Sequence, residues 1–250
     1  MTVYFIGAGP GAADLITMRG QRLLERCPVC LHPGSIMDDD LLSFCPAGAR
    51  VVDTGPLNLE EITGEFVRAA AAGHDVARLH SGDVSLYSAV AEQCRRLDEL
   101  GIDYQIVPGV PAFAAAAAEL GRELTVPGVA QTVTLTRVAT VSSAMPAGEE
   151  LTELARSGGT LVIHLAAHRV DAVVDALLAG GRRADTPAAV AAFVSRPGQV
   201  LLRGMLGDIA AKTRRAGITR TAVIVVGDVL AAGGFPDSYL YSTERSRGSH

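Results

Sequence analysis

Short apolar runs alternate with longer amphipathic stretches along most of this chain, and the alternation predicts strands and helices in turn. Strands are predicted over 3–6, 29–32, 50–53, 75–79 and 104–107, and helices over 14–26, 38–44, 59–72 and 86–100. That order argues for a parallel sheet with helices on both faces. Pro108-Gly109-Val110-Pro111 then interrupts the pattern and an alanine-rich helix follows over 112–119, so a hinge is expected here. Beyond it, strands are predicted over 131–136, 160–165, 188–194, 199–203 and 222–226, and helices over 149–156, 169–178 and 206–216. Only Ser195-Arg196-Pro197-Gly198 separates two of these strands, which reads as a hairpin and makes the second sheet mixed. The fold class is therefore α/β, with two α/β domains: an open parallel sheet over 1–110, a mixed sheet over 111–240, and a loose tail over 241–250.

The stretch from Arg78 to Ser88 leaves the strand 75–79, turns on Gly82 and enters the helix 86–100. Open α/β sheets bind ligands at such carboxyl ends of strands. This turn carries Ser81, Gly82, Asp83 and Ser85, a glycine beside a carboxylate and two hydroxyls. The plain alternative is a turn in which Asp83 or Ser85 only caps the helix.

Composition narrows the function. With 48% hydrophobic and 20% charged residues the chain can bury a sizeable core. A net charge of −5 without a basic run excludes a nucleic-acid footprint, so local Arg and His would have to meet any polyanionic ligand. No apolar run reaches the ~18 residues needed to span a bilayer. Met1-Thr2-Val3-Tyr4-Phe5-Ile6-Gly7 lacks the basic and apolar regions of a signal peptide, so a cytoplasmic location is expected. Cys27-Pro28-Val29-Cys30 closes a helix and leads into a strand, an order that disfavours the thiolate. No second Cys pair or His pair completes a zinc site, and His164 and His168 fall on a strand and a loop; no metal is expected.

Gly7-Ala8-Gly9-Pro10-Gly11 follows the first strand as a dinucleotide-binding loop would. Pro10 and Gly11 lengthen that loop, however, and the second strand ends at His32-Pro33 without the acid that would accept a ribose hydroxyl. A nicotinamide-dependent oxidoreductase remains the alternative from another class, and a non-catalytic interaction module a further one.

Five motifs occur in order: Gly7-Ala8-Gly9-Pro10-Gly11, Leu15-Ile16-Thr17, Gly82-Asp83, Val107-Pro108-Gly109-Val110, and Gln131 through Arg137. Together they resemble the tetrapyrrole methylases, the class III S-adenosylmethionine-dependent methyltransferases, over nearly the whole chain. The resemblance implies C-methylation of a tetrapyrrole in cobalamin biosynthesis, with C11 of precorrin-4 as the acceptor and another precorrin carbon as the runner-up. It implies S-adenosylmethionine as donor, S-adenosylhomocysteine as product, and a homodimer. It places the donor in a cleft between the two domains, against Pro10, Ser81, Gly82, Asp83, Leu86, Pro111 and Ala112 from the first motifs. Leu165, Val194, Thr221 and Ala222 would face it from the second domain, with Leu86, Leu165 and Val194 covering the adenine. Substrate carboxylates would be met by cations, with Arg137 and His80 first and Arg19 and Arg122 behind them. No catalytic base is assigned, although His32 and Asp83 lie near the implied mouth; in-line methyl transfer rests mostly on positioning and exclusion of water. The chain departs from the family pattern at Val84, Ser88, Pro111, Leu165 and Met205-Leu206. Pro111 removes the hydroxyl expected at its position and keeps its carbonyl.

Overall fold

In the computed structural model, which describes residues 1–34, 39–139 and 144–235, the chain divides into two compact units, Met1–Ala115 and a second that begins at Ala116. The expected tail over 241–250 lies outside the described residues.

The first unit holds β1 (Thr2–Gly7), β2 (Val29–His32), β3 (Arg50–Asp53), β4 (Val76–His80) and β5 (Asp103–Val107), all parallel, in the order β3-β2-β4-β1-β5. Alternate residues of β1 serve opposite faces. Val3 and Phe5 pack with Ile62 and Phe66 of α3 (Leu59–Ala71) and Leu97 of α4 (Val90–Leu100). Tyr4 and Ile6 pack with Leu23 and Leu24 of α1 (Met18–Leu24) and Leu41 of α2 (Asp39–Leu42). Burial on both faces is why β1 and β2 read as near-continuous apolar runs, whereas the edge strands β3 and β5 are largely exposed. From β1 the chain passes β4 to reach β2, and from β4 it passes β1 to reach β5. The ends of β1 and β4 therefore release the chain in opposite directions, which is the switch point where sheets of this kind take ligands.

Two helices start later than their apolar periodicity predicts. Residues Ala13–Leu15 form a 3-10 turn, Ile16 is extended, and α1 begins only after Thr17, whose hydroxyl accepts the Gly20 N–H at 3.1 Å. The helix expected over 86–100 begins at Val90, because Tyr87 and Ala89 stand at φ 53° and 52°. A left-handed residue cannot propagate a right-handed helix.

Gly7, Gly82 and Gly109 lock the loops at this edge. A Cβ on Gly109 would lie 2.3 Å from the Gly82 carbonyl oxygen and 2.7 Å from Gly7 Cα, and one on Gly7 would lie 2.5 Å from Gly109 N. Gly82 N–H donates to Gly9 O at 2.7 Å, Gly9 N–H returns to Gly82 O at 3.2 Å, and Ala8 N–H donates to His80 O at 2.8 Å. The Pro108-Gly109 turn is thus packed into the first unit. The division between units falls inside α5 (Ala112–Glu119), later than the boundary expected at 110.

The second unit holds β6 (Val133–Arg137), β7 (Thr160–His164), β8 (Pro187–Ala192), β9 (Val200–Met205) and β10 (Ala222–Val226), in the order β6-β7-β10-β8-β9. β6 and β7 are parallel and the other pairs antiparallel, the mixed order expected from the hairpin. Leu151 of α6 (Leu151–Leu154), Val173 and Leu177 of α7 (Val170–Ala179) and Ile209 of α8 (Leu206–Arg215) pack against Leu161, Ile163, Val190 and Ile224. One edge of the sheet collects the carboxyl ends of β6, β7 and β8 and the amino ends of β9 and β10. Among the described residues no helix is long and apolar enough to cross a membrane.

Substituting Gly109→Ala forces backbone apart at the junction and is expected to lower the unfolding free energy by about 1–3 kcal/mol in urea titrations. Gly64→Ala in α3, where an added Cβ meets nothing within 4 Å, is expected to raise it by about 0.5–1 kcal/mol.

Candidate functional site

The first unit contributes the loops after β1, β4 and β5. Asp83 ties the second of these to the third: its Oδ2 accepts the Gly109 N–H at 2.7 Å, and its Oδ1 accepts the Ser85 N–H at 2.9 Å and the Ser85 hydroxyl. Partial burial pushes the Asp83 carboxyl up, but the Ser85 hydroxyl and the Gly109, Ser85 and Val84 backbone outweigh it and hold it below the usual carboxylate range. Asp83 is therefore an ionised brace with its lone pairs committed, which makes it a poor base. Gly82, at φ 71°, turns toward Pro111 and Ala112; a Cβ there would meet Ala112 N at 3.6 Å and Pro111 Cα at 3.7 Å. Leu86 N–H donates back to Asp83 O at 3.4 Å. Pro10 and Gly82 are buried, Asp83, Leu86, Pro111 and Ala112 half-buried, and Ser81 exposed. The structure thus brings the first-domain residues expected from the sequence onto one edge.

His80 is a correction. Its ring lies under the loop at 5% exposure, 5.8 Å from the Phe5 ring between centroids. Burial first, and the Arg78 charge second, push its pKa down to about 3 against the Ser88 backbone, so it is neutral and cannot supply a cation for substrate. Arg19 is exposed, and Arg122 is half-buried with its guanidinium donating to Ala232 O at 3.4 Å.

The second unit, taken by itself, has a sheet edge with strained backbone. Among the described residues six that are not glycine have positive φ: Tyr87, Ala89, Leu165 (55°), Phe193 (50°), Ser195 (62°) and Thr221 (51°). Leu165, Phe193 and Thr221 directly adjoin the ends of β7, β8 and β10 that share this edge, and Ser195 follows three residues after β8. Each costs on the order of 1–3 kcal/mol, and strain of this kind clusters at ligand sites. Phe193 N–H donates to Thr221 O at 2.9 Å, and Ser195 N–H donates to Gln199 Oε1 at 2.7 Å, which fixes two of the turns. Leu165 is 58% exposed, an apolar side chain standing out from the edge. Val194 corrects another expectation: its side chain is 5% exposed and turned into the unit, so only its backbone is available to a ligand. Thr221 is exposed and Ala222 half-buried.

Arg137 ends β6 on the same edge. Its guanidinium donates to Val138 O at 2.9 Å and Ala144 O at 3.4 Å. With Arg169, Glu150, Met145 and Leu151 it lines a cavity of about 270 Å³. Arg169 donates to Ala139 O at 2.6 Å. The Cys27 and Cys30 thiols are buried; burial foremost drives Cys27 up to about 12, and Cys30 is raised by its hydrogen bond with Cys45 and by burial, so neither is a reactive thiolate. Among the described residues no three His, Cys, Asp or Glu side chains gather to hold a metal ion.

The periodicity argument missed the left-handed residues Tyr87, Ala89, Phe193 and Ser195, since no side-chain pattern marks a positive φ outside glycine.

Burial of neutral His80 makes stability pH-dependent. In the unfolded chain this histidine protonates near pH 6.5, in the folded chain only near pH 3. The unfolded state therefore binds more protons between those values. Stability is complete above about pH 6.5 and falls as pH drops through it. Urea unfolding at pH 7 and pH 5 is expected to show a loss that His80→Gln reduces by about 1–2 kcal/mol.

Comparison with known proteins gives these features a context. The family model for tetrapyrrole (corrin/porphyrin) methylases matches residues 2–210. A precorrin-4 C(11)-methyltransferase of Mycobacterium tuberculosis strain CDC 1551 is 72% identical over 245 residues, covering 98% of each chain. The crystal structure of a cobalt precorrin-4 methyltransferase of cobalamin biosynthesis superposes with a TM-score of 0.89 at 36% identity, covering 92% of this chain and 95% of the other. A uroporphyrin-III C-methyltransferase of Thermus thermophilus, solved with S-adenosyl homocysteine, superposes at 0.78 with 27% identity over 92% and 93% of the two chains. Two α/β units, five ordered motifs and a match across most of the length agree: the chain belongs to the tetrapyrrole methylases.

Proposed function

We propose that this chain transfers a methyl group from S-adenosylmethionine to C11 of precorrin-4 in cobalamin biosynthesis, as a cytoplasmic homodimer. The observation that carries the reading is the 72% identity, over 98% of both chains, to a protein named for that reaction. S-adenosylmethionine brings a methyl group on a positively charged sulfonium, and S-adenosylhomocysteine leaves as a neutral thioether. The residues present suit such a donor. The first unit offers backbone at Pro10, Ser81, Gly82, Pro111 and Ala112 on loops held by Asp83 and by the Gly9–Gly82 backbone pair. The second offers main-chain groups at Leu165, Val194, Thr221 and Ala222, all of which lie at or beside left-handed residues, and the exposed Leu165 side chain as an apolar cover. Leu86 supplies a second apolar contact.

The chain's part in the reaction is to bind, orient and exclude water, because a sulfonium is already an activated donor. Substrate carboxylates fall to Arg137, whose charge stands at the strand end beside Arg169 in a shared cavity.

Incubation with precorrin-4 and S-adenosylmethionine is expected to yield a product heavier by one methyl group, placed on C11 by NMR. Methylation at a different carbon would move the assignment within the family, and binding of NAD in place of S-adenosylmethionine would overturn it. Arg137→Ala is expected to weaken precorrin-4 binding about tenfold to a hundredfold while donor affinity holds; unchanged binding removes Arg137 from the site.

A further inference from the structure

Between the Gly82-Asp83 turn and α4 the chain presents an aromatic ring on backbone that no local preference favours. Tyr87 is 43% exposed at φ 53°, and Ala89 two residues on has φ 52°. Neither residue has the short polar side chain that eases this conformation, and an exposed tyrosine ring forgoes the burial that rewards most aromatics. Tyr4, Phe5 and Phe66, by contrast, lie in the core.

The segment is nevertheless held on every side. The Ser88 hydroxyl donates to Val84 O, and the Ser88 backbone bonds the buried His80 ring. Gln93 Nε2 donates to Ala89 O at 3.0 Å. Gln93 Oε1 in turn accepts Arg78 Nε at 3.1 Å, Arg78 Nη1 donates to Thr54 Oγ1 at 3.0 Å, and the Thr54 hydroxyl donates to His32 O at 2.9 Å. Arg78 and Gln93 are 6% and 3% exposed. A buried guanidinium and a buried amide are costly groups to place in a core. Here the pair ends on the carbonyl of the strained residue beside the exposed ring. Strained backbone fixed by a buried network is preorganised, and preorganisation at the ligand edge of a parallel sheet serves a bound molecule.

We infer that Tyr87 is a substrate-positioning residue whose ring bears on the apolar face of the tetrapyrrole macrocycle, and that Arg78 and Gln93 hold it in place from beneath. This rests on the function proposed above, which supplies a broad, largely apolar macrocycle with an anionic rim. The ring makes the contact, and the phenolic hydroxyl is dispensable.

Equilibrium binding of precorrin-4, binding of S-adenosylhomocysteine, and the separate kcat and KM for precorrin-4 test it in the full chain and in Tyr87→Phe, Tyr87→Ala and Tyr87→Gly. Tyr87→Ala is expected to weaken precorrin-4 binding and raise its KM about tenfold. S-adenosylhomocysteine affinity should stay within about twofold, and Tyr87→Phe should match the unaltered chain. Tyr87→Gly, which removes the ring and relieves φ together, keeps the test valid if the alanine variant folds poorly; it should show the same rise in KM with no loss of thermal stability. Gln93→Met is expected to raise KM in the same direction with the ring still present. Unchanged KM in both Tyr87→Ala and Tyr87→Gly overturns the inference, as does a Tyr87→Phe variant as impaired as Tyr87→Ala. Failure of the unaltered chain to bind precorrin-4 would sink the proposed function, and this inference with it.

Discussion

The backbone of Gly109 packed against those of Gly7 and Gly82 is the constraint on which the candidate site depends. Three strands of one sheet end there, and their loops approach more closely than any Cβ allows. Such contact gives the loops after β1, β4 and β5 one common position, and the Asp83 carboxylate secures it by holding both Gly109 and Ser85. Hydrogen bonds to an ionised carboxylate are stronger than those between neutral groups. One side chain and three glycines thereby fix most of what the first unit presents to a ligand.

Each unit, at the ends of its strands, carries groups that a stability argument alone would remove. His80 is buried without its charge, Arg78 is buried with it, and Tyr87, Ala89, Leu165, Phe193, Ser195 and Thr221 hold left-handed backbone. All lie in, or just before, segments that follow or precede the site-facing ends of strands. The apolar strands, whose residues pack into cores on helices, offset these costs. Ordinary folding energetics thus concentrate in the sheet interiors and the expensive conformations at their edges.

Much of this architecture could be read from the chain. The bounds of β2 and β10 coincide with their apolar runs, because buried strands have no other signature to compete with, and β3 is bracketed by Arg50 and Asp53 around two valines. Gly82-Asp83 and Pro108-Gly109 were legible as turns and as family motifs. Helix starts were less legible. Apolar periodicity over 14–26 and 86–100 continues through Ile16 and Tyr87, whose backbone leaves the helix for tertiary reasons. Side-chain exposure was the least accessible. A histidine next to a turn glycine suggested a cation at the rim, yet the ring points under the loop, and Val194 faces inward where a cover for adenine was expected. Both depend on which way a residue points as a strand ends, and sequence spacing does not determine that at a left-handed turn.

The mixed order of the second sheet has a consequence for how this fold tolerates change. Strands that end at an edge leave carbonyls there, and strands that begin at it leave amides. With β10 set antiparallel between β7 and β8, acceptors and donors alternate along one border. Recognition written in main-chain atoms survives exchange of the side chains above it. Leu165 and Pro111, two of the departures from the family pattern, can stand so long as the peptide units beneath keep their directions. The alphabet of this border is the peptide bond, and its spelling is the φ angle.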